Sequence, residues 1–364
     1  MAESAHIPVE DVEVVAPNFK NRLSGVTSTI VVLIPLQRKL GIRVAAFGPG
    51  LPASLPHICW QDFLGFWKQP RSGAANRVWH ARRNVEMLAG IFMRDILRMR
   101  LKLLFTSASQ RHHKRFTKWL IRKMDAVIAT SKKTAHYLEV PNTVITHGIN
   151  LEQFRPPNAP EDFLTATGLN GKYAIGCFGR VRHQKGTDLF VDAMIELLPR
   201  YPDWVAIVAG RATAEHQAFE AELRSKVDEA GLSQRLIFLG ELPFTGEGET
   251  IPVWYRRLTV YVAPSRTEGF GLTPLEAMAS QTAVVASDAG AYPELIIEGE
   301  TGHVVPAGDL QAMRSAIEVY LQEPEKALKH GHAALIHAQS HFPLQGEAEK
   351  IGAIYANLLE RNTL

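Results

Sequence analysis

The 364-residue chain has only two cysteines, Cys59 and Cys177. Two thiols cannot build a disulfide framework, so a reduced, cytoplasmic setting is the expectation. No run approaches the ~18 apolar residues a spanning helix needs, the best near the start being residues 30–36. The first thirteen residues are acidic and lack a basic-then-apolar leader pattern. Low-complexity tracts and short-period repeats are absent. Among fourteen histidines there is no His-x-x-x-His spacing on a convincing helix, and no cysteine pair accompanies them, so no metal site is expected.

What is present is ordinary for a globular protein: 46% apolar and 21% charged residues. The length predicts two domains. The net charge of +3 hides an asymmetry. Residues 1–158 carry 23 basic and 10 acidic side chains, or +13, and residues 159–364 carry 17 and 27, or −10. A basic half beside an acidic half suggests that the first half meets something anionic: nucleic acid, a membrane surface or a phosphorylated acceptor.

In the second half, short Val- and Ile-rich runs alternate with helical patterns. Strands are predicted at Tyr173–Phe178, Trp204–Ala209, residues 236–239, Val260–Ala263 and Ala283–Ser287, and helices at residues 187–198, 215–230, 251–258 and 274–280. Buried strands alternating with helices predict a doubly wound parallel sheet, whose ligands sit at the carboxyl ends of the strands. The first half repeats the theme less cleanly, with strands predicted at residues 13–16, 43–47, 78–80, 101–106, 126–130 and 143–145 and a helix at 27–40. Residues 148–160 contain Pro156, Pro157 and Pro160 and read as a linker. The α/β chain is thus expected to divide into residues 1–158 and 159–345, with a final helix from residue 346.

Two stretches carry the chemistry. In Glu268-Gly-Phe-Gly-Leu-Thr-Pro-Leu-Glu276, a strand ends at Pro264, a loop carries Gly269 and Gly271, and Pro274 opens a helix. Glycines let backbone N–H groups approach a ligand, and a helix start favours anions. A tight turn with surface carboxylates is the plainer alternative. Phe178-Gly-Arg180-Val-Arg-His-Gln-Lys185-Gly186 follows the domain's first strand. Arg180 and Lys185 can converge on phosphate oxygens, or the loop is simply solvated. A third stretch, Arg22-Leu-Ser-Gly25-Val26, either presents backbone amides at Gly25 or is a helix start capped by Ser24. Gly48-Pro-Gly50-Leu-Pro-Ala53 mimics a dinucleotide fingerprint, but Pro49, Pro52 and Pro56 block the helix such a site needs, which argues against a nicotinamide enzyme. Residues 94–123 hold ten basic side chains against Asp95 alone. Within them Phe116, Trp119, Leu120 and Lys123 share a helical face, as in a membrane-surface helix or a core-packed helix with a solvated basic face.

On these residues the chain resembles the retaining GT-B glycosyltransferases of family 4. The resemblance rests on Glu268 to Glu276, Arg180, Lys185 and Gly25. Thr146-His-Gly-Ile-Asn150 with Phe154 and Pro156, and Ser287-Asp-Ala-Gly290 with Pro293-Glu294, add to it. Trp79-His-Ala-Arg-Arg-Asn84 and Phe105-Thr-Ser-Ala-Ser109 with Arg111 are similar to the branch that builds lipopolysaccharide core in rhizobia and relatives. The resemblance implies two Rossmann-like domains facing a cleft, the first for the acceptor and the second for the nucleotide-sugar, with the last helix packing back on the first. It implies that Glu276 holds the ribose and that Arg180 and Lys185 grip the diphosphate. Glu268 then sits beside the transferred sugar, amides from Gly269, Phe270, Gly271 and Leu272 contact sugar and phosphate, and Gly25 admits the phosphate. No metal or cofactor is implied.

Two positions depart from the pattern: Asn150 replaces a frequent acid, and Ser107 stands where many members have a histidine. Ser107, Arg111 and His80 are therefore the candidates for the acceptor or sugar contact. The implied function is retaining transfer of mannose from GDP-mannose to the inner core (Kdo region) of a lipopolysaccharide precursor, at an anionic membrane surface on the cytoplasmic face of the inner membrane and without nucleic acid. Another donor such as UDP-glucose, and a non-catalytic polyanion-binding protein, are the alternatives.

Overall fold

A computed structural model describes residues 5–21 and 25–360. Its strands form two all-parallel sheets in two units, residues 1–146 with 344–364, and residues 147–343. The segment read as a linker belongs to the second unit. Phe154 is buried there, edge-on to Phe244 and Tyr255, and Arg155 pairs with the buried Asp162 at 2.8 Å. Its prolines stiffen an extended path along that unit.

In unit 1 the strands are β1 (Val14–Pro17), β2 (Val44–Phe47), β3 (His57–Ile58), β4 (Arg77–Ala81), β5 (Leu101–Ser107), β6 (Ala126–Ala129) and β7 (Thr143–Val144), in the order β3-β2-β1-β4-β5-β6-β7. Its helices are α1 (Gly25–Lys39), α2 (Asn84–Ile91), α3 (Arg115–Arg122), α4 (Lys132–His136) and, from the far end of the chain, α12 (Leu344–Glu360). Alternation along β1 sorts the two faces. Val14 and Ala16 pack with Ile30 and Ile34 of α1 and with Ile351, Tyr355 and Leu358 of α12. Val15 packs with Trp79, Met87 and Leu120 on the other side. Each large apolar side chain so buried contributes about 1.5–3 kcal/mol, which fixes α12 to this sheet. Residues 48–56 form no helix, as the three prolines require.

Unit 2 contains β8 (Tyr173–Phe178), β9 (Trp204–Ala209), β10 (Leu236–Gly240), β11 (Val260–Ala263), β12 (Ala283–Ser287) and β13 (Gly302–Val305), in the order β10-β9-β8-β11-β12-β13. The helices are α5 (Thr187–Leu197), α6 (Gln217–Glu229), α7 (Ile251–Arg257), α8 (Thr273–Ala279), α9 (Tyr292–Leu295), α10 (Leu310–Gln322) and α11 (Pro324–His341). Ile175 and Cys177 face Phe190 and Met194 of α5 and Ile317 of α10. Ala174 and Phe178 face Tyr255, Leu275 and Met278. Strand order reverses between β8 and β11, the place where a doubly wound sheet opens a crevice at its carboxyl edge.

Candidate active site

The two chemistry-bearing loops leave β8 and β11, the neighbouring strands at that reversal. Arg180, Lys185, Thr187, Ser265, Thr273 and Tyr292 line a small open depression there, together with Phe178 and Ala263. The loops are braced together. Arg266 makes a bidentate pair with Asp188 at 2.7 and 2.8 Å and reaches the His183 carbonyl at 2.7 Å. Its own N–H bonds the Gln184 carbonyl at 2.9 Å. Gly186 has φ +72, and a Cβ there would strike the Pro264 carbonyl, so only glycine lets the loops close up.

Lys185 pairs with Glu268, whose other oxygen accepts the Gly269 N–H at 3.1 Å. Arg180 is exposed and makes no ion pair or hydrogen bond among the described residues. Nor do the N–H groups of Phe270, Gly271, Leu272 and Thr273 find an acceptor among them. Gly271 has φ +84, and a side chain there would overlap the Tyr292 ring. Phe270 is buried beside His147, ring centroids 4.9 Å apart. The loop therefore offers unpaired donors next to two cations, an arrangement suited to phosphate.

Glu276 sits one turn into α8, 6% exposed, accepting a hydrogen bond from the buried Tyr255 hydroxyl at 2.8 Å. Burial pushes its carboxyl up to about 7, against the opposing pull of the Tyr255 hydrogen bond and of Lys185. A buried acceptor near neutrality is suited to paired hydroxyls. Tyr255, Asp188 and Tyr292 were not foreseen from the sequence. No spacing in the sequence marks them: Asp188 is recognised only by its pair with Arg266, and Tyr255 only by its hydrogen bond to Glu276.

In unit 1 the candidates separate. Ser107 ends β5 and is buried, its Oγ near the Ser109 N–H at 3.4 Å, and Arg111 is exposed on the following loop. His80 does not reach a surface. Its ring is fully buried, Nδ1 lies 2.6 Å from the Tyr355 hydroxyl and Nε2 2.7 Å from Thr106 Oγ1. Burial, aided by Arg82, holds its pKa well below the usual value, so it is a neutral strut between β4, β5 and α12. This corrects the expectation of a substrate contact there. Gly25 opens α1 after β1; Arg22, Leu23 and Ser24 lie outside the described residues.

The basic segment also divides differently from expectation. Thr117, Leu120 and Ile121 of α3 point inward, while Phe116 and Trp119 are 54% and 44% exposed and stack at 6.0 Å. Leu120 is thus core, and the two aromatics belong to the outer face. Lys118 pairs with Glu139, and Lys114 and Arg115 make no ion pair among the described residues.

Residues 172–323 match the family described as glycosyl transferases group 1. The chain is 61% identical, over 97% of its own length and 99% of the relative's, to the lipopolysaccharide core biosynthesis mannosyltransferase LpcC of Rhizobium leguminosarum bv. viciae. The chain belongs to the group 1 glycosyltransferases. The lipopolysaccharide core biosynthesis mannosyltransferase LpsB of Rhizobium meliloti is 54% identical over 97% of this glycosyltransferase and 99% of that protein. In fold, this glycosyltransferase matches Anabaena Alr3699/HepE, solved with UDP and glucose, with a TM-score of 0.78 at 20% identity over 95% of this chain and 100% of that one. The two parallel-sheet units are the GT-B architecture, and glycosyl transfer is the activity of the family.

Proposed function

We propose that this glycosyltransferase moves a mannosyl group from GDP-mannose to the inner core (Kdo region) of a lipopolysaccharide precursor, with retention at the anomeric carbon. The two rhizobial relatives, matched along nearly their whole length, support mannosyl transfer in core assembly. The observation that carries the chemistry is the meeting of Arg180, Lys185 and the unpaired N–H groups of Phe270 to Thr273 at the carboxyl edge of β8 and β11.

In this reading Glu276 accepts the ribose hydroxyls at one end of the donor. Arg180 and Lys185 take the diphosphate, and Gly25 contributes an amide to it. Glu268 and the Gly269–Leu272 backbone lie along the sugar. The bond from the anomeric carbon to the phosphate oxygen breaks while the acceptor hydroxyl adds to the same face. Its proton passes to that phosphate oxygen, and the nucleoside diphosphate leaves. Cations and fixed N–H dipoles aimed at the departing charge supply the main stabilisation. Glu268 acts by position and charge, steadying Lys185 until phosphate replaces it as partner.

The acceptor belongs to the basic first unit, with Ser107 and Arg111 as its candidate contacts. The outer face of α3 suits an anionic membrane surface, Phe116 and Trp119 entering the headgroup layer beside Lys114 and Arg115. No helix among the described residues is long and apolar enough to cross a membrane; the proposed contact is a peripheral one through α3, on the cytoplasmic face of the inner membrane. Thermal shift with GDP, UDP, GDP-mannose and UDP-glucose, followed by analysis of the product formed on isolated core precursor, tests the reading. Stabilisation by the guanine series with α-linked mannose in the product is expected. A response to the uridine series alone overturns the donor assignment.

A further inference from the structure

Unit 1 gathers a second set of chemically capable side chains that the transfer reaction does not use. Residues 5–7 run beside β3: the Ile7 N–H bonds the His57 carbonyl at 3.0 Å, and the His57 N–H bonds the Ala5 carbonyl at 3.0 Å. His6 and His57 are therefore register partners. Side chains paired in register share a face, and the two rings meet edge-on with centroids 6.0 Å apart. Cys59, two residues on in extended conformation, falls on that face too. The chain then turns into the 3-10 helix Trp60–Trp67, which brings Asp62 back over Cys59. Asp62 Oδ2 accepts the Cys59 N–H at 2.6 Å and lies 2.8 Å from His6 Nε2. The ligand atoms of His6, Cys59 and Asp62 all lie within 4.8 Å of one another. Nδ1 of His57 is engaged by the Leu55 carbonyl at 3.0 Å, which leaves Nε2 as its available nitrogen.

We propose that His6, Cys59 and Asp62 bind a borderline divalent cation of the zinc class, with His57 turning in as a fourth ligand. An imidazole nitrogen, a thiolate and a carboxylate suit zinc and do not suit magnesium or calcium, which take oxygen ligands. At ligand bonds of about 2.0–2.3 Å, tetrahedral neighbours stand roughly 3.3–3.8 Å apart, so side-chain adjustments suffice. Cys59 and His6 are exposed, which gives an ion a way in. The ion joins residues 5–7 to a segment some fifty positions later, the continuous run of β3, Cys59 and the helix bearing the exposed Trp60 and Leu64. The run His57-Ile-Cys59-Trp-Gln-Asp62 contains neither a His-x-x-x-His spacing nor a cysteine pair, and His6 lies far from it in sequence, which is why sequence spacing predicted no metal site. The role is structural and lies outside the donor residues.

The test uses the full chain without an affinity tag, reduced and chelator-stripped, titrated with Co²⁺. One equivalent should produce a thiolate-to-cobalt charge-transfer band that Zn²⁺ abolishes and Mg²⁺ does not. Cys59→Ser should lose the band with an unchanged far-UV circular dichroism spectrum. His6→Gln should weaken zinc binding about tenfold or more. Zinc should raise the melting temperature of the wild type and not of the His6→Gln, Cys59→Ser double variant. Absence of the band, its full retention in Cys59→Ser, or equal competition by Mg²⁺ overturns the proposal.

Discussion

Replacing Glu276 by glutamine separates the stability of unit 2 from its donor affinity. The Glu276 carboxyl is raised from 4.5 to about 7 by burial. A carboxyl raised on folding binds its proton more tightly in the native state. Its effect is therefore absent below pH 4.5, grows between pH 4.5 and 7, and is complete above 7 as lost native stability. A difference of 2.5 between 4.5 and 7, at about 1.36 kcal/mol per unit, is about 3 kcal/mol. Glutamine keeps an acceptor for the Tyr255 hydroxyl, 2.8 Å away in the wild type, and carries no charge. The donor-free variant should therefore melt higher than wild type at pH 8, by about 6–12 °C for a domain of this size, and nearly level with it at pH 5. Calorimetric melts at pH 5, 6.5 and 8 read the difference. The same variant should bind GDP-mannose roughly tenfold to a hundredfold more weakly, since a charged acceptor of hydroxyls contributes about 1.5–3 kcal/mol. Equal melting temperatures at pH 8, or a gap that widens toward acid, would refute the reasoning.

With the proposed ribose role of Glu276, whose carboxyl is raised to about 7, wild-type affinity for GDP-mannose should rise with pH through about 7 and then level off; calorimetric titration should find that slope missing in Glu276→Gln. Arg180→Ala and Lys185→Ala should each lower kcat/KM about a hundredfold or more, the loss expected when one stabiliser of departing charge is removed; steady-state rates within twofold of wild type would sink the diphosphate role. Gly271→Ala should abolish donor-induced thermal stabilisation, since its φ of +84 and the Tyr292 ring leave no room for a methyl group. Lys114→Glu with Arg115→Glu should reduce sedimentation with anionic liposomes at low salt and raise KM for the lipid acceptor. Lys118 is omitted because it already pairs with Glu139, and reversing it would set two acids side by side.

The strands of unit 2 were legible because each is a continuous apolar run closed by Gly, Pro or Ser; Tyr173–Phe178, Trp204–Ala209, Val260–Ala263 and Ala283–Ser287 are observed as expected. β3 is two residues long and carries no period, and β13 begins with glycine and a half-buried histidine, so neither stood out. α11 packs largely by small residues such as Ala327, Ala334 and Ala338, and a face of alanines is a weak apolar signal. The two site loops were readable because glycine, a cation and a carboxylate at a strand end have few other uses. The bracing of Arg266 by Asp188, 78 positions away, was not, because pairing between distant side chains exists only in the fold. His80 misled for the same reason: a histidine at a strand end reads as functional until Tyr355 and Thr106 are seen to occupy both nitrogens.

Unit 1 closes with α12, whose Tyr355 seals His80 and whose Ile351 and Leu358 finish one face of the sheet. The ribosome therefore delivers the last piece of the first unit only after the whole of the second has emerged. The nascent amino-terminal sheet waits with one flank bare, while residues 147–343 can close on themselves as one uninterrupted stretch. A premature stop before residue 344 would consequently spare the carboxyl-proximal unit and cripple the one translated first.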